Sequence, residues 1–300
     1  MTTGPHVAAV VLHWGAEAIT ERCLASLGAA AWPGRGTVLV VDNMTGLDDA
    51  VAARAAPLDV QILRPPRNLG FAEGCTLGLT IALEQGADFV LLLNNDAVAD
   101  PEFLVPLVEA AGRHPDAGLV SPQIAHLNRP QEAWYQGGTF SPWTGIPVQG
   151  HSRRVLPRDR PPREVDYATG CAMLIRPAVI QRVGPFDREF FAYCEDLDLS
   201  IRARRAGFRV LFVPASLVYH DVSDEPGRAA LRIYYSTRNL MEVLRRHAPW
   251  YTWLSVGANF LTRWVGFFVA LALVRRQPRY LTALARGMRD FARRRLGQDR

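Results

Sequence analysis

Short apolar runs alternate with amphipathic stretches through the first hundred residues of this chain. Valine- and leucine-rich runs at residues 6–12, 37–41 and 88–93 predict buried strands. Apolar residues at helical spacing follow the first run at 16–27 and precede the third at 73–85. Because strands that alternate with helices form parallel sheets, this half of the chain predicts an α/β fold.

Carboxylates follow two of these predicted strands. Asp42 comes directly after the second run, and Asn94, Asn95 and Asp96 follow the third. Ligands of parallel sheets bind at the carboxyl ends of the strands. A carboxylate there can hold a divalent cation against a substrate diphosphate, because hard cations take oxygen ligands. An Asn-Asn-Asp triplet is also a common turn, so the triplet alone leaves both interpretations open.

A second acidic cluster lies in the sequence FFAYCEDLDLS at residues 190–200. Glu195, Asp196 and Asp198 fall within four positions there, at the start of a helix predicted over 196–206. Aspartates at that place can cap the helix. The aromatic residues before them would also raise a carboxyl pKa, which suits a general base. The residues themselves favour neither role over the other.

The middle of the chain loses its periodicity. Residues 121–165 are rich in Pro, Gly, Arg and aromatic residues and predict loops with short antiparallel strands. A strand that contains Gly170 is predicted over 166–175, and another over 210–213. His220 follows the latter, where it could be structural, a metal ligand or a phosphate contact.

Charge is distributed unevenly along the chain. All 34 basic side chains are arginine, which excludes a catalytic lysine, a Schiff base and a phosphate-loop lysine. Residues 275–300 hold nine arginines and two acids, a local charge of +7, whereas the other 25 arginines face 27 acids, a charge of −2. A near-neutral body does not predict nucleic-acid binding, and the basic tail better fits an anionic membrane surface.

The segment before this tail, residues 251–274, is almost wholly apolar and carries only Arg263 as a charge. Its 24 residues could span a bilayer, but an arginine at mid-membrane costs about 2.5–3.5 kcal/mol. Flanking tryptophans and arginines favour an interfacial helix on a membrane. A packed helix or homodimer contact and a true transmembrane span are the alternatives.

The cellular compartment is predicted from the cysteines and the N-terminus. The four cysteines lie far apart and show no zinc-site spacing, which is typical of free thiols in a reducing compartment. The first residues lack the pattern of a signal peptide. We therefore expect a cytoplasmic protein at the inner face of the cell membrane.

Eight segments together carry a family resemblance. In chain order they are VVLHW (10–14), VVDNMTGLD (40–48), RNLGFAEG (67–74), LLLNNDAV (91–98), TGCAMLIR (169–176), GPFDREFFAYCEDLDLSIRARRAGFRV (184–210), PASLVYH (214–220) and STRNL (236–240). The ordered set resembles the family 2 inverting glycosyltransferases, in their rhamnosyltransferase-like branch. The resemblance implies the GT-A fold, a mixed α/β sheet flanked by helices, over 1–222. A helical extension that packs or meets a membrane would occupy 223–300.

The resemblance implies a donor side for the nucleotide sugar. Asp42 resembles the residue that recognises the nucleotide base. Asn94-Asn95-Asp96 stands where the family has its Asp-x-Asp metal motif, so Asp96 is left as the main carboxylate for Mg²⁺ or Mn²⁺. His220 is a further candidate metal ligand. The loop that lies over the nucleotide would contain Arg67, Asn68 and Gly70.

On the acceptor side, Asp196 resembles the catalytic base of the family. Gly170 and Cys171 resemble the strand beneath the acceptor, and Glu195 and Asp198 flank the base. The resemblance implies transfer of a sugar, by this analogy rhamnose, from a dTDP-, UDP- or GDP-linked donor. The acceptor would be a hydroxyl of a cell-surface polysaccharide or of a lipid-linked glycan.

Two other functions compete with glycosyl transfer. A sugar nucleotidyltransferase would need a glycine-rich N-terminal loop with a lysine or arginine that attacks the phosphates, and the sequence VVLHWGAEA supplies neither. A sugar-nucleotide-binding module without turnover would not need the carboxylates at Asp96 and Asp196. Release of nucleoside diphosphate from a sugar nucleotide separates these functions.

Overall fold

The computed structural model describes residues 4–222 and 226–299. Its strands are β1 (Val7–His13), β2 (Gly36–Asp42), β3 (Asp59–Leu63), β4 (Phe89–Asn94), β5 (Ala97–Ala99), β6 (Ala117–His126), β7 (Arg129–Tyr135), β8 (Gly138–Phe140), β9 (Pro147–Gln149), β10 (Arg163–Glu164), β11 (Ala172–Ile175) and β12 (Arg209–His220). Its α-helices are α1 (Glu17–Gly28), α2 (Gly70–Glu84), α3 (Leu104–Arg113), α4 (Pro177–Val183), α5 (Glu195–Arg205), α6 (Pro226–His247), α7 (Trp253–Asn259), α8 (Gly266–Val274) and α9 (Arg279–Ala292).

One large mixed sheet organises the chain, in the strand order β10-β12-β6-β11-β4-β1-β2-β3. β1, β2, β3 and β4 are mutually parallel, and β12 is parallel to β6. β11 runs antiparallel between β4 and β6. The carboxyl ends of β1, β2, β4, β6 and β12 therefore meet the amino end of β11 along one side of the sheet, which we call the carboxyl edge.

The first half of the chain folds as the apolar pattern predicts. β1 is buried at all seven positions, and β2 at six of seven, as expected for strands that are covered on both faces. α2 packs on β1, β2 and β4, and α3 packs on β6 and β12. The predicted α/β fold with a mixed sheet is confirmed.

The middle of the chain differs from the prediction in three places. β6 is a buried ten-residue strand that begins at Ala117 and runs into the region expected to be loops. β11 is shorter than the predicted strand 166–175, and β12 is longer than 210–213. Ser121, Pro122 and Gln123 interrupt the apolar run of β6, and hydrogen bonds to Leu211 and Leu156 satisfy Ser121 and Gln123 in the interior.

The C-terminal helices pack on the sheet domain. Leu240 and Val243 of α6 and Val256 of α7 belong to the same buried cluster as the strands. The apolar segment 251–274 is not one regular helix, because a π-helical stretch, Phe260–Val265, separates α7 from α8. The predicted division between 222 and 223 borders residues 223–225, which lie outside the described part of the chain.

Candidate active site

Asp42 ends β2 at the carboxyl edge and organises the loop that follows. Its Oδ1 accepts from the backbone nitrogens of Thr45 and Gly46 at 3.0 and 3.2 Å, and its Oδ2 accepts from Leu47 at 3.0 Å. Burial opposes ionisation here, but these backbone donors hold the pKa of Asp42 below its ordinary value. The carboxylate therefore stays charged, and Oδ2 keeps a lone pair beyond its single backbone donor.

Asn43 links this strand end to the loop that contains Arg67, Asn68 and Gly70. Its amide nitrogen donates to Asn68 Oδ1 at 2.9 Å, and its Oδ1 accepts from Leu69 N at 2.8 Å. Arg67 lies at the surface and pairs with Glu73 at 2.6 Å. Sequence reasoning missed Asn43 as a site residue, although its place directly after Asp42 at a strand end was a usable signal.

Gly70 begins α2 with a backbone that favours glycine. Its φ is +69°, and a Cβ at this position would lie 2.6 Å from the backbone oxygen of Phe191. That oxygen accepts hydrogen bonds from Phe71 N at 2.6 Å and Ala72 N at 3.1 Å. The loop that contains Arg67, Asn68 and Gly70 thus contacts the segment that precedes Asp196.

Two residues of the Asn-Asn-Asp triplet have different surroundings: Asn95 supports a turn, and Asp96 lies in the candidate site. Asn95 donates from its amide to Trp14 O at 3.1 Å and to Thr20 Oγ1 at 2.9 Å, so it secures the turn after β1. Asp96 instead lies against His220, with Oδ1 and Nε2 3.1 Å apart. The structure therefore brings Asp96 and His220 together and assigns Asn95 to the scaffold.

Buried polar atoms without a hydrogen-bond partner occur around Asp96 and His220. Among residues 4–222 and 226–299, the buried side-chain atoms without a hydrogen-bond partner are Asn94 Oδ1, Asp96 Oδ1, Glu195 Oε2 and His220 Nδ1. All four belong to residues at or beside the carboxyl edge. A buried polar group without a partner is costly, so a cluster of them indicates a site that is completed by a ligand.

The donor atoms fit a divalent cation in part. Asp96 Oδ1 and His220 Nε2 lie 3.1 Å apart, close enough to serve as two ligands of one ion. A carboxylate with an imidazole suits Mn²⁺ better than Mg²⁺, which prefers oxygen. No group of three or more His, Cys, Asp or Glu residues in the described chain could hold an ion alone. Phosphate oxygens of a donor would have to supply the remaining ligands.

Asp196 lies at the first turn of α5, beside the amino end of β11. Its Oδ2 accepts from Gly170 N at 2.9 Å and its Oδ1 from Leu197 N at 2.8 Å. Burial raises the pKa of Asp196 in spite of these donors. A Cβ on Gly170 would lie 3.2 Å from the ring of Phe71, so glycine permits this close approach.

Glu195 is more deeply buried than Asp196. Burial, together with the neighbouring Asp196, raises the pKa of Glu195 well above its ordinary value. For Asp196 the backbone donors of Gly170 and Leu197 oppose the same effect of burial, so the surroundings favour the proton on Glu195 and the ionised form on Asp196.

Asp198 points away from Asp196, whereas the Cys171 thiol lies against His220 and close to Asp96 and Asp196. Asp198 is 1% exposed and pairs with Arg202 Nε at 2.7 Å and with His247 Nε2 at 2.8 Å, so it joins α5 to α6. Burial opposes ionisation, but these two partners lower the pKa of Asp198. Cys171 is a buried free thiol whose backbone oxygen accepts from Asn94 N at 2.8 Å. Of the predicted acceptor-side residues, Gly170, Cys171 and Glu195 lie beside Asp196, whereas the carboxylate of Asp198 pairs with Arg202 and His247.

Comparison with known proteins identifies the family. Residues 5–252 match the family model described as "Glycosyltransferase like family 2". Since this match covers more than half of the chain, the protein belongs to that family and is a glycosyltransferase.

Two curated relatives that align over most of the chain are rhamnosyltransferases. The N-acetylglucosaminyl-diphospho-decaprenol L-rhamnosyltransferase of Mycobacterium tuberculosis is 29% identical over 259 residues, which cover 77% of this chain and 81% of the relative. The dTDP-rhamnosyl transferase RfbF of Shigella flexneri is 23% identical over 224 residues, 71% of this chain and 72% of the relative. The rhamnosyltransferase-like character that the sequence motifs predict is thereby confirmed.

A solved structure confirms the fold. The crystal structure of GalNAc-T7 with UDP, GalNAc and Mn²⁺ superimposes with a TM-score of 0.63 at 14% identity. The match covers 81% of this chain and 48% of that chain, so this protein spans about half of that neighbour's length. The predicted GT-A architecture is thus established, whereas the neighbour's ligands concern the neighbour alone.

Proposed function

We propose that this glycosyltransferase moves rhamnose from dTDP-rhamnose to a hydroxyl of a lipid-linked glycan or cell-surface polysaccharide, with inversion at the anomeric carbon. The names of the two rhamnosyltransferase relatives support the sugar, and that of RfbF supports the dTDP carrier. UDP- and GDP-linked sugars are the alternative donors. The observation that carries the reaction type is Asp196, a base beside a cluster of unpaired ligand atoms.

Asp196 acts on the acceptor in this proposal. Its carboxylate takes the proton of the acceptor hydroxyl while that oxygen forms a bond to the anomeric carbon, and the bond from that carbon to the diphosphate breaks with its electron pair on the leaving oxygen. The hydrogen bonds from Gly170 and Leu197 fix the orientation of the carboxylate. A single positioned base contributes on the order of 10²–10⁴-fold to such a reaction.

Asp96 and His220 would hold Mn²⁺ or Mg²⁺ together with the donor diphosphate. When bound, the cation stabilises the negative charge that grows on the leaving diphosphate. Asp42 and Asn43 shape the loop that would contact the nucleotide base, and Gly70 begins the helix next to it.

The deciding experiment measures nucleoside diphosphate release from dTDP-rhamnose, UDP-GlcNAc and GDP-mannose, each with Mn²⁺, Mg²⁺ or a chelator. We expect release with dTDP-rhamnose, faster when an acceptor is present, and loss of release in the chelator. Asp96→Asn should weaken the dependence on Mn²⁺ more than it changes folding. Donor binding without any release would support the non-catalytic binding module, and pyrophosphate release from dTTP with a sugar phosphate would support the nucleotidyltransferase.

We further propose that the C-terminal segment docks on an anionic membrane. Among the described residues, Trp250–Val274 is the one helical stretch long and apolar enough to cross a bilayer, and 17% of its most apolar window is buried. Val256, Phe260 and Ala272 face the protein, whereas Trp250, Leu254 and Val274 are 83%, 89% and 80% exposed. An outward apolar face of this size is typical of an interaction surface.

The charges next to this face indicate a shallow position in the membrane. Arg263 is exposed on the π-helical stretch, in the middle of the apolar segment. A guanidinium there can reach lipid headgroups from a helix that lies in the interface, but it would be costly in a span. Arg275, Arg276 and Arg279 are exposed at the next turn and form no ion pair with the described carboxylates, so they remain able to meet anionic lipid.

Vesicle sedimentation tests this docking. We expect binding to phosphatidylglycerol vesicles, weaker binding to phosphatidylcholine, and loss of binding in Leu254→Glu. The membrane fraction should release the protein in alkaline carbonate. Resistance to carbonate would instead indicate a transmembrane span, and a stable dimer without vesicle binding would indicate a homodimer contact.

A further inference from the structure

The segment directly before Asp196 has an unusual backbone. We call residues 189–194 the base loop. Phe191, Tyr193 and Cys194 have φ angles of +61°, +69° and +70°, although none of them is glycine. L-residues rarely adopt such angles, and a run of them persists only where the surroundings determine the conformation. Such a loop needs partners that hold it.

Asn239 of α6 supplies one set of partners. Its Nδ2 lies 2.8, 2.7 and 2.8 Å from the backbone oxygens of Phe190, Ala192 and Tyr193. Arg238 Nε donates to Asn239 Oδ1 at 2.9 Å, which fixes the direction in which the amide points. One fully buried side chain thus contacts half of the base loop.

Arg238 supplies the other set. Its Nη2 donates to the backbone oxygens of Glu189 and Phe190 at 3.3 and 3.1 Å, and its Nη1 donates to Gly297 O at 2.6 Å. Arg238 is 0% exposed and takes part in none of the ion pairs among the described residues, so its Nη1 and Nη2 donors serve backbone oxygens. Arginine suits this task because its donors form a planar fork.

The base loop also touches the donor side. Phe191 O accepts from Phe71 N and Ala72 N at the start of α2, and the ring of Phe191 stacks on Tyr235 of α6 with centroids 5.3 Å apart. The chain end joins the same assembly, because Gly297 N donates to Glu189 O at 2.7 Å. The loop therefore lies between α2, α6 and the C-terminus.

We infer that Arg238 and Asn239 are positioning residues for the transfer reaction, which they serve by holding the base loop so that Asp196 meets the acceptor in a productive geometry. This inference rests on the proposed role of Asp196 as the base. It assigns to the C-terminal extension a part in building the active site, beyond any contact with a membrane. A misplacement of about 1 Å can cost on the order of 10²-fold in rate.

Two variants test the inference, each with a matched control. Asn239→Ser removes the amide contacts and is compared with Gln85→Ser, which removes an amide that donates to Gln61 Oε1 at 3.0 Å just after α2. Arg238→Lys keeps the charge without the fork and is compared with Arg232→Lys at the exposed side of α6. The kcat per folded enzyme, the donor KM and the pH profile of kcat are measured, with the folded fraction taken from circular dichroism.

We expect kcat of Asn239→Ser to fall about 10–100-fold while the donor KM stays within about threefold. The acid limb of the kcat profile should move to lower pH, because a loosened loop admits water to Asp196. Both controls should keep the kcat and the profile of the wild type. If Asn239→Ser does not fold, Arg238→Lys is judged by the same measurements.

Hydrogen exchange at residues 71, 72 and 297 gives a readout that does not depend on the donor. Faster exchange together with a lower kcat supports the inference. A folded variant with kcat within threefold of the wild type and an unchanged pH profile overturns it. Absence of wild-type turnover with every donor would refute the proposed function instead, and unchanged exchange at these amides in both variants would then overturn the inference independently.

Discussion

Replacement of Asp196 by asparagine tests whether Asp196, rather than the adjacent Glu195, is the general base. Asn has the shape of Asp but cannot take a proton. Loss of a general base costs about 10²–10⁴-fold in rate, which corresponds to about 2.7–5.5 kcal/mol in the barrier. We therefore expect kcat of Asp196→Asn to fall by that factor. Glu195→Gln is the matched comparison, because a protonated Glu and a Gln are alike in charge and shape.

The cost to stability can be estimated from the contacts of Asp196. Its two oxygens accept from Gly170 N and Leu197 N at 2.9 and 2.8 Å. The asparagine keeps one acceptor and turns an amide N–H toward the other backbone donor. One unmade hydrogen bond costs about 1–3 kcal/mol. The variant should thus remain folded and bind the nucleotide with nearly the affinity of the wild type.

The assay follows nucleoside diphosphate release and product formation from pH 4 to pH 9 (about the range in which the fold should persist). Because Asp196 must be ionised to act and burial raises its pKa, turnover should decline as the pH falls, starting above the ordinary aspartate value of 3.8. Glu195→Gln should lose less than about tenfold, since burial disfavours the charged form of the residue that it replaces. Near-normal turnover in Asp196→Asn, or an equal loss in Glu195→Gln, would refute the assignment of the base.

Two further substitutions test the scaffold around the base. Asp198→Ala should lower the free energy of unfolding by about 3–5 kcal/mol in urea titrations, because it leaves Arg202 and His247 without their buried partner. Since the pKa of Asp198 is lowered on folding, its contribution should be complete above the ordinary aspartate pKa and disappear as the pH falls below it. Gly70→Ala should cost about 1–3 kcal/mol and raise the donor KM, because it places a Cβ against Phe191 O at a φ of +69°; equal donor affinity in calorimetry would contradict this.

The sheet could be predicted from the sequence wherever burial is continuous. β1, β2 and β4 are apolar runs whose bounds the pattern gives to within two residues. β6 could not be predicted in the same way, because Gln123 lies inside it with its amide satisfied by Leu156 O and Gln136 Nε2. Such long-range hydrogen bonds allow a polar residue in a strand and leave no local trace in the sequence.

Within the site, the sequence predicted the positions of the acidic residues better than it predicted the contacts that each of them makes. Asp42 ends β2 and Asp96 follows β4 at the carboxyl edge, and Asp196 lies there because its Oδ2 accepts from Gly170 N, shortly before β11. Asp198 was placed with the base because it is two positions away. On a helix, residues two apart point in different directions, and Asp198 accordingly faces α6.

The predicted division at residue 222 separates the strands of the sheet from the C-terminal helices, but residues from both sides contribute to the proposed active site. Residues 1–222 contain the proposed donor contacts and the proposed base, Asp196. The groups that hold the base loop, Arg238 and Asn239, come from α6, and so does the His247 partner of Asp198. The same helix contacts the apolar segment, where Trp264 Nε1 donates to Thr237 Oγ1 at 3.1 Å. α6 therefore contacts both the base loop and the segment proposed to meet a membrane, so the proposed catalytic role and the proposed membrane contact share one helix.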